Sequence, residues 1–369
     1  MKKLIGSLMM IGIAGETLSA DERKFIVDHE IAGVVLFARN CKEPKQIHNL
    51  CQDIQSLRSK TSSKAPLFIG VDMEGGRVHR LKEPFTLWPA PAHLGRIDNS
   101  VLTFQFALMM GQELRAVGIN LNFAPCADIL TNPKNSVIGD RSLGSDPEQV
   151  AKHASALVRG YFKSQVLSCA KHFPGHGNTF LDSHFDLPKE IDTDLTRLEA
   201  AELIPFKRSA KARCDMIMTS HILFPKIDAD NPVTFSEVFL QKILRESMRF
   251  RGVIVTDDLD MQALTKHYER AEIPVRAIAA GADLLLYCNE PTSPQIAIES
   301  LIEAVAQGRL DRDKLTEKSQ RVQALRVEKI LNPDPLPWAE AKDWIGKDEH
   351  KILAQAIRED RVPEGLLPE

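Results

Sequence analysis

Eight short apolar segments recur along the chain, and most of them are followed by a longer segment of helical periodicity. The apolar segments cover residues 8–13, 33–37, 67–71, 119–124, 167–170, 216–219, 252–256 and 283–287. Each is continuously apolar rather than alternating, which is typical of parallel strands that are buried on both faces. We therefore predict eight parallel β-strands.

The segments between these strands predict helices. Ser19 and Glu22 have the spacing of a capping box ahead of a helix over 23–30. Further helices are predicted over residues 101–117, 147–164, 195–212, 236–247, 271–280, 293–307 and 311–331. This alternation predicts an α/β fold, a (β/α)8 TIM-type barrel forming a single catalytic domain over 1–331. A doubly wound open sheet is the alternative, because local patterns do not show whether a sheet closes.

Both ends of the chain allow more than one interpretation. Lys2 and Lys3 precede an apolar stretch that resembles a secretory signal, but Gly6 and Ser7 interrupt it, so we assign 8–13 to the first strand. Three prolines within 332–337 predict an extended tether. The polar tail that follows, to residue 369, is too short for a core of its own and contains one predicted helix, 348–359.

Composition narrows the class of protein. The chain has 369 residues and a net charge of −3, so we expect no broad basic face for nucleic acid. No apolar run is long enough to span a bilayer, so no membrane segment is expected. The six cysteines are scattered without a C-x-x-C pair, which disfavours a zinc knuckle or a disulfide scaffold and fits a reducing cytoplasm.

Polar residues follow six successive strands, from the third to the eighth. They are Asp72 and Arg80, then Asp128, Asp140 and Arg141, then Lys171, His172 and His176, then His221, then Asp257 and Asp258, and finally Asn289 and Glu290. Barrel enzymes carry their catalytic groups at the C-terminal ends of the strands. The pattern therefore predicts an active site at that end of the barrel.

Asp257 is the first candidate, because it directly follows the seventh strand and its carboxylate is expected at the barrel mouth. A carboxylate there can attack an anomeric carbon or bind a sugar hydroxyl. The alternative role is a helix N-cap, for which Asp258 or Asp260 is better placed. Lys171 and His172 end the fifth strand, where regular alternation directs neighbouring side chains to opposite sides.

Asp72 and Arg80 frame a turn that contains Gly75 and Gly76. The paired glycines allow a tight turn, and carboxylate and guanidinium groups are ordinary partners of sugar hydroxyls and carbonyls. The alternative is an internal salt bridge that joins Glu74 or Asp72 to Arg77.

The loop over 175–184 contains a second candidate pair. Asp182 and His184 are close enough in sequence for a hydrogen bond, which is an acid/base arrangement, and Gly175 and Gly177 favour a mobile lid. A rival interpretation is a zinc or iron site formed by His172, His176, His184 and Asp257. For His176 alone, simple packing beneath the loop is also a good fit.

The motifs around these residues resemble those of glycoside hydrolase family 3, in particular its bacterial β-N-acetylhexosaminidase branch, which acts in peptidoglycan recycling. The resemblance covers about 8–331. The matching stretches are 33–40, 71–78, 122–125, 139–142, 255–261 and, most specifically, the Lys-His-Phe-Pro-Gly-His-Gly run at 171–177 followed by Asp-Ser-His at 182–184. Met73 departs from the family pattern, which often has Gln there. The larger relatives continue into a second α/β domain, whereas this chain stops soon after His350. The resemblance is therefore expected to be to the single-domain bacterial form.

The resemblance implies a role for each candidate. Asp257 would be the nucleophile, His184 the acid/base and Asp182 its partner. The residues that would hold N-acetylglucosamine are Asp72, Arg80, Arg141, Lys171 and His172, with no metal and no cofactor. The implied function is a cytoplasmic, monomeric, retaining exo-β-N-acetylglucosaminidase that acts on muropeptide fragments. A β-glucosidase, a glycoside phosphorylase or a catalytically inactive carbohydrate-binding barrel remain the alternatives.

Overall fold

Eight parallel strands close into a barrel in the computed structural model, which describes residues 1–183, 185–363 and 365. The strands run in the order β1-β10-β9-β8-β7-β6-β3-β2, and β1 pairs with both β2 and β10. They are β1 Met9–Gly12, β2 Gly33–Leu36, β3 Phe68–Val71, β6 Leu121–Asn122, β7 Leu167–Phe173, β8 Met216–Thr219, β9 Val253–Asp258 and β10 Leu284–Tyr287. The predicted (β/α)8 barrel is confirmed, and the open-sheet alternative is wrong.

A separate antiparallel hairpin follows β3 and was not predicted as strands. It consists of β4 Met73–Gly75 and β5 Val78–His79. Gly75 and Gly76 occupy its turn with φ of 100° and 58°, a backbone region that glycine adopts with little strain. The predicted tight turn is confirmed.

Helices surround the barrel. They are α1 Lys2–Gly6, α2 Ala20–His29, α3 Pro44–Ser56, α4 Pro91–Ile97, α5 Ser100–Ala116, α6 Pro147–Lys163, α7 Leu195–Ala200, α8 Leu203–Lys211, α9 Gln262–Thr265, α10 Glu272–Ala280, α11 Ser293–Ala306, α12 Arg312–Lys329, α13 Trp338–Trp344 and α14 Asp348–Arg358. The capping box at Ser19 and Glu22 is present. None of the helices in the described residues is both long and apolar enough to cross a membrane.

The structure departs from the predicted elements in three places. The helix predicted over 195–212 is divided, because Ala201 takes φ −139° and ψ −80° between α7 and α8. The segment Val238–Ser247 is a π-helix rather than an α-helix. α3 was not predicted, although Ile47, Leu50 and Ile54 bury one of its faces.

The barrel interior is filled by side chains rather than forming a pore. Gly70 on β3 leaves room for two of them, because a Cβ at this position would lie 2.8 Å from the Phe123 ring and 3.2 Å from the methyl carbon of Met10. All three residues are buried. This packing supports the strands whose C-terminal ends form the cavity described below.

The C-terminal segment packs against the barrel. Its extended part is held where Arg115 donates to the Asp334 carbonyl (2.9 Å) and His48 Nε2 lies 2.8 Å from the Leu336 carbonyl. Further on, the Gly346 N–H and His350 Nδ1 reach the buried Glu113 carboxylate at 2.9 and 3.1 Å. The predicted tail helix is confirmed as α14, and α13 is an addition.

Candidate active site

The C-terminal ends of the barrel strands open into a cavity of about 680 Å³. Seven of the eight predicted site residues line it, namely Asp72, Arg80, Arg141, Lys171, His172, Asp182 and Asp257. The eighth, His184, lies outside the described residues. The barrel thus brings together side chains that lie up to 185 positions apart in the sequence.

Asp257 lies at the end of β9 with its carboxylate directed to the cavity. Its Oδ1 accepts the N–H of Asp258 at 2.8 Å. Burial opposes ionisation, but the positive charges of His172 and His221 outweigh it, so the pKa of the Asp257 carboxyl is lowered. An ionised carboxylate that faces a cavity is available as a nucleophile.

Asp258 and Asp260, the alternative candidates for a helix N-cap, do not cap the helix that follows β9. The predicted N-cap role is therefore wrong. Helix α9 has Met261 at its N-cap and no side-chain cap bond. Asp258 Oδ1 instead accepts the N–H of Cys288 at 3.1 Å, which joins the end of β9 to the end of β10. Burial, together with repulsion from Asp260 and Asp257, raises the pKa of Asp258 to about 7. Asp258 is therefore only partly ionised near neutral pH.

A buried ion cluster lies beneath one side of the cavity. Lys171 Nζ contacts Asp72 Oδ1 at 2.5 Å and Glu74 Oε1 at 2.7 Å. Arg141 binds Glu74 through two parallel hydrogen bonds of 2.9 and 2.8 Å. Burial alone would raise the pKa of Glu74, but Arg141 and Lys171 hold it far below its usual range. The predicted alternative partner, Arg77, instead contacts Asp140 at 3.0 Å.

His172 is oriented by Asp128, a residue that was noted after the fourth strand but given no role. Its Nδ1 lies 2.7 Å from Asp128 Oδ2. Asp128 also accepts the backbone N–H of His176 at 2.7 Å. Burial opposes its ionisation, yet the charge and N–H of His172 lower the pKa of Asp128 to about 2. A carboxylate at Nδ1 fixes the imidazole orientation, and Nε2 lies 3.4 Å from a guanidinium nitrogen of Arg141.

Lys171 and His172 do not point to opposite sides of the barrel wall as expected. Both line the same cavity. The reason lies in the strand, because the register of β7 against β8 shifts between Ala170 and Phe173. Regular alternation of side chains does not hold through such an irregularity.

Arg80 follows the hairpin and has an unsatisfied donor. Its Nε is buried and has no hydrogen-bond partner within the described part of the chain, and the residue lines the cavity. A buried N–H without an acceptor is costly, so a donor in this position is suited to bind a ligand oxygen.

The loop after β7 supplies Asp182 to the lining of the cavity. Asp182 is half-buried, and its carbonyl accepts the N–H of Phe185 at 3.0 Å. His176 is buried beneath the loop, where its two ring nitrogens contact the hydroxyls of Thr179 (2.7 Å) and Ser183 (3.2 Å). Burial and the charge of His172 lower the pKa of His176 to about 4. These contacts fit the packing interpretation of His176 rather than a role as metal ligand.

Glu74 and Asp128 hold other residues of the candidate site in place, a role that was not predicted for them from the sequence. The predicted site contained Arg80, Arg141 and Lys171 but only Asp72 as a binding carboxylate. That excess of positive charge implied further buried anions, and Glu74 and Asp128 supply them. Both orient other site residues.

A (β/α)8 barrel with carboxylates and cations around a polar cavity at its C-terminal mouth has the architecture of a glycoside hydrolase. The Glycosyl hydrolase family 3 N terminal domain matches residues 1–325. The chain belongs to glycosyl hydrolase family 3 and is a glycoside hydrolase, as the sequence motifs indicated.

Relatives and solved structures agree with this assignment. A protein of Thiobacillus denitrificans named Beta-hexosaminidase is 38% identical over 289 residues, which cover 77% of this chain and 78% of the relative. The structure of a family 3 β-N-acetylglucosaminidase from Paenibacillus superposes with a TM-score of 0.89 at 36% identity, covering 98% of this chain and 68% of that one. The Neisseria gonorrhoeae protein NagZ in complex with N-trifluoroacetyl-D-glucosamine superposes at 0.77 with 31% identity, covering 96% and 98%.

Proposed function

We propose that this protein is a retaining exo-β-N-acetylglucosaminidase, with Asp257 as its nucleophile. The observation that carries the proposal is the position of an ionised carboxylate at the end of β9, facing a cavity lined by cations. In the first step, an Asp257 oxygen bonds to the anomeric carbon as the bond to the leaving oxygen breaks. The product of this step is a covalent glycosyl-enzyme.

The acid/base role is assigned to His184, with Asp182 as its partner. This assignment rests on the sequence motif and on the position of Asp182 at the cavity. His184 donates a proton to the leaving oxygen, and neutral His184 then takes a proton from the water that attacks the anomeric carbon. The second displacement releases Asp257 and gives net retention.

Sugar recognition is assigned to other polar residues that line the same cavity. Arg80 Nε is available to a substrate oxygen, and Asp72 and His172 present further polar atoms. Lys171 and Arg141 hold the buried carboxylate of Glu74 and so fix the positions of these groups. Because the names of similar proteins include Beta-hexosaminidase and β-N-acetylglucosaminidase, N-acetylglucosamine is the proposed glycone.

We further propose a substrate class and a cellular location for this enzyme. Muropeptide fragments of peptidoglycan are the proposed substrates, acted on by a monomer in the cytoplasm without a metal or cofactor. All six cysteines are buried free thiols, which agrees with a reducing compartment. Product analysis with peptidoglycan fragments and with chitooligosaccharides would distinguish the two substrate classes.

The nucleophile assignment is tested with an Asp257→Ala variant and an aryl β-N-acetylglucosaminide. We expect turnover to fall by about 10⁴-fold or more, as for other enzymes that lose the nucleophile. Added azide should restore product release as the α-glycosyl azide, because the anion enters from the vacated face. Asp192→Ala, which changes an exposed carboxylate, is the matched control. Near-normal turnover of Asp257→Ala would contradict the assignment.

The acid/base assignment is tested by the leaving group. His184→Ala and Asp182→Ala should slow hydrolysis strongly for a poor leaving group and weakly for a good one, since only the poor one needs a proton. Equal losses for both leaving groups would exclude His184 as the acid. Parallel assays with an aryl β-glucoside, with and without phosphate, separate the hydrolase from the glucosidase and phosphorylase alternatives.

A further inference from the structure

A second cavity lies at the end of the barrel opposite the candidate active site. It has a volume of about 900 Å³ and opens beside the N-terminal ends of β8 and β9, next to the C-terminal half of α12. No residue that lines it also lines the cavity at the barrel mouth. Its volume is in the range of small-molecule sites.

Positive charge dominates this basal cavity. Six of its lining residues are cations for which the described part of the chain provides no ion pair: Lys207, Lys211, Arg213, Arg249, Arg251 and Lys329. Only two lining carboxylates, Asp215 and Glu328, oppose them. Asp215 is occupied by the N–H of Ser168 at 2.9 Å. Lys329 lies over the Phe162 ring and acts on Asp215, and the other five cations around the concavity create a local attraction for anions.

The floor of the basal cavity is apolar. Phe250 is buried there, and Met248, Leu325 and Ala210 also line it. A purely ionic ligand would leave this apolar surface uncovered. A charged rim above an apolar floor is instead suited to a molecule with both kinds of surface.

We propose that the basal cavity binds a small anionic molecule that carries two or more phosphate groups beside an apolar or aromatic portion. The phosphates meet the rim, where planar guanidinium groups form paired hydrogen bonds to phosphate oxygens. The apolar portion lies against Phe250 and its neighbours. This proposal is independent of the role assigned to Asp257.

Two of the rim arginines allow an unusually clean test. Arg213 and Arg249 follow the ends of α8 and of the π-helix, with φ of 68° and 55°. Glycine adopts this left-handed conformation with less strain than any other residue. Replacing both arginines by glycine therefore removes two cations without opposing the backbone.

The test measures binding of ATP, inorganic pyrophosphate, adenosine and a short DNA strand to the full chain by isothermal titration calorimetry. We expect one saturable site, tighter for ATP than for pyrophosphate, and no measurable binding of adenosine. The Arg213→Gly/Arg249→Gly variant should bind ATP about tenfold or more weakly, since charged hydrogen bonds are lost. Its melting temperature should be unchanged or higher. The matched control is Arg159→Gln/Arg312→Gln, which removes two exposed arginines outside the basal cavity and should bind ATP normally.

Three outcomes would overturn the proposal. They are equal ATP binding by the Arg213→Gly/Arg249→Gly variant and wild type, binding that does not saturate, and tighter binding of a short DNA strand than of ATP. If the glycine variant does not fold, Lys211→Gln/Arg251→Gln tests the same rim at helix-terminal and loop positions. Weakened binding in that variant supports the site, and unchanged binding rejects it.

Discussion

The two sides of the candidate active site are joined to the molecule in different ways. The hairpin wall, residues 73–90, is held by buried hydrogen bonds that reach as far as the C-terminal segment. The loop wall, the described residues of 174–187, places apolar side chains in solvent. Because buried polar contacts are costly to break and exposed ones exchange with water, the two walls are suited to different tasks.

The hairpin wall is fixed at several points. The Gly76 N–H donates to the Trp88 carbonyl at 2.8 Å, and the Thr86 hydroxyl donates to Glu113 at 2.7 Å. Glu113 also receives the bonds from Gly346 and His350, so the C-terminal segment braces the same wall. A wall built in this way holds Arg80 in one position, which suits recognition of a sugar.

The described residues of the loop wall are held in the interior at the base and by contacts nearer the surface further along. Asn135 donates to the His176 carbonyl at 2.7 Å within the interior. Further along, Phe180 is 83% exposed and Phe185 is 66% exposed, and Lys266 reaches the Phe185 carbonyl at the surface. The comparison teaches that buried hydrogen bonds support the side proposed to bind the sugar, whereas the described residues of the side proposed to transfer the proton also depend on exposed contacts such as that of His267 with Asp186.

The largest expected effect comes from the ion cluster under the hairpin wall. A Glu74→Ala change leaves Arg141 and Lys171 buried without their shared carboxylate. We expect a loss of about 3–5 kcal/mol in the free energy of unfolding, which is typical of removing one partner from a buried ion pair. Urea denaturation measures it, with Glu349→Ala on the exposed face of α14 as the control. A loss below about 1 kcal/mol, the range of surface pairs, would mean that this wall is not rigidly supported.

The next largest effect is expected at Glu113, the buried carboxylate through which the C-terminal segment supports the hairpin wall. Glu113→Ala removes the acceptor shared by Thr86, Gly346 and His350, and we expect unfolding to become easier by about 2 kcal/mol. Since Arg80 is positioned by the same wall, KM for an aryl N-acetylglucosaminide should rise more than kcat falls. Glu113→Gln retains one oxygen acceptor and should recover part of both effects. An unchanged KM in a folded Glu113→Ala protein would separate the brace from substrate binding.

A smaller effect on stability is expected when acid protonates Asp128, the carboxylate that orients His172. The pKa of Asp128 is lowered to about 2 in the folded protein, whereas an unfolded Asp has a pKa near 3.9. Its stabilising contribution is therefore nearly full above about pH 5 and is lost progressively as the pH falls through the folded pKa towards about 1. Between pH 5 and pH 3, wild type should lose about 1 kcal/mol more stability than Asp128→Asn. Equal losses would show that His172 does not depend on this charge.

The fold was predictable from the sequence because each barrel strand is a continuous apolar run. Closure was not, since it depends on the pairing of β1 with β10, whose residues lie more than 270 positions apart. The position of Asp257 was predictable for a local reason, namely that it follows a strand whose direction is known. The same reasoning failed for Lys171 and His172, because an irregular register is not visible in the polar pattern.

The ion pairs within the candidate site were the feature hardest to predict from the sequence. Arg77 lies three positions from Glu74, yet Glu74 pairs with Arg141, 67 positions away. Sequence proximity favoured the wrong pair because the hairpin turn directs Arg77 outward to Asp140. Long-range pairs of this kind are decided by the barrel, which brings the ends of β3 and the loop after β6 together.

The smallest expected effect on stability lies in the loop wall. Phe180→Ser and Phe185→Ser remove apolar groups that are already in solvent, so the free energy of unfolding should change by no more than about 0.5 kcal/mol. Urea denaturation of both variants beside Phe173→Ser, a buried aromatic on β7, provides the contrast, since burial of Phe173 should make that variant far less stable. If Phe180→Ser destabilises the protein as much as Phe173→Ser does, the loop wall is packed against a surface in solution, and the difference between the two walls disappears.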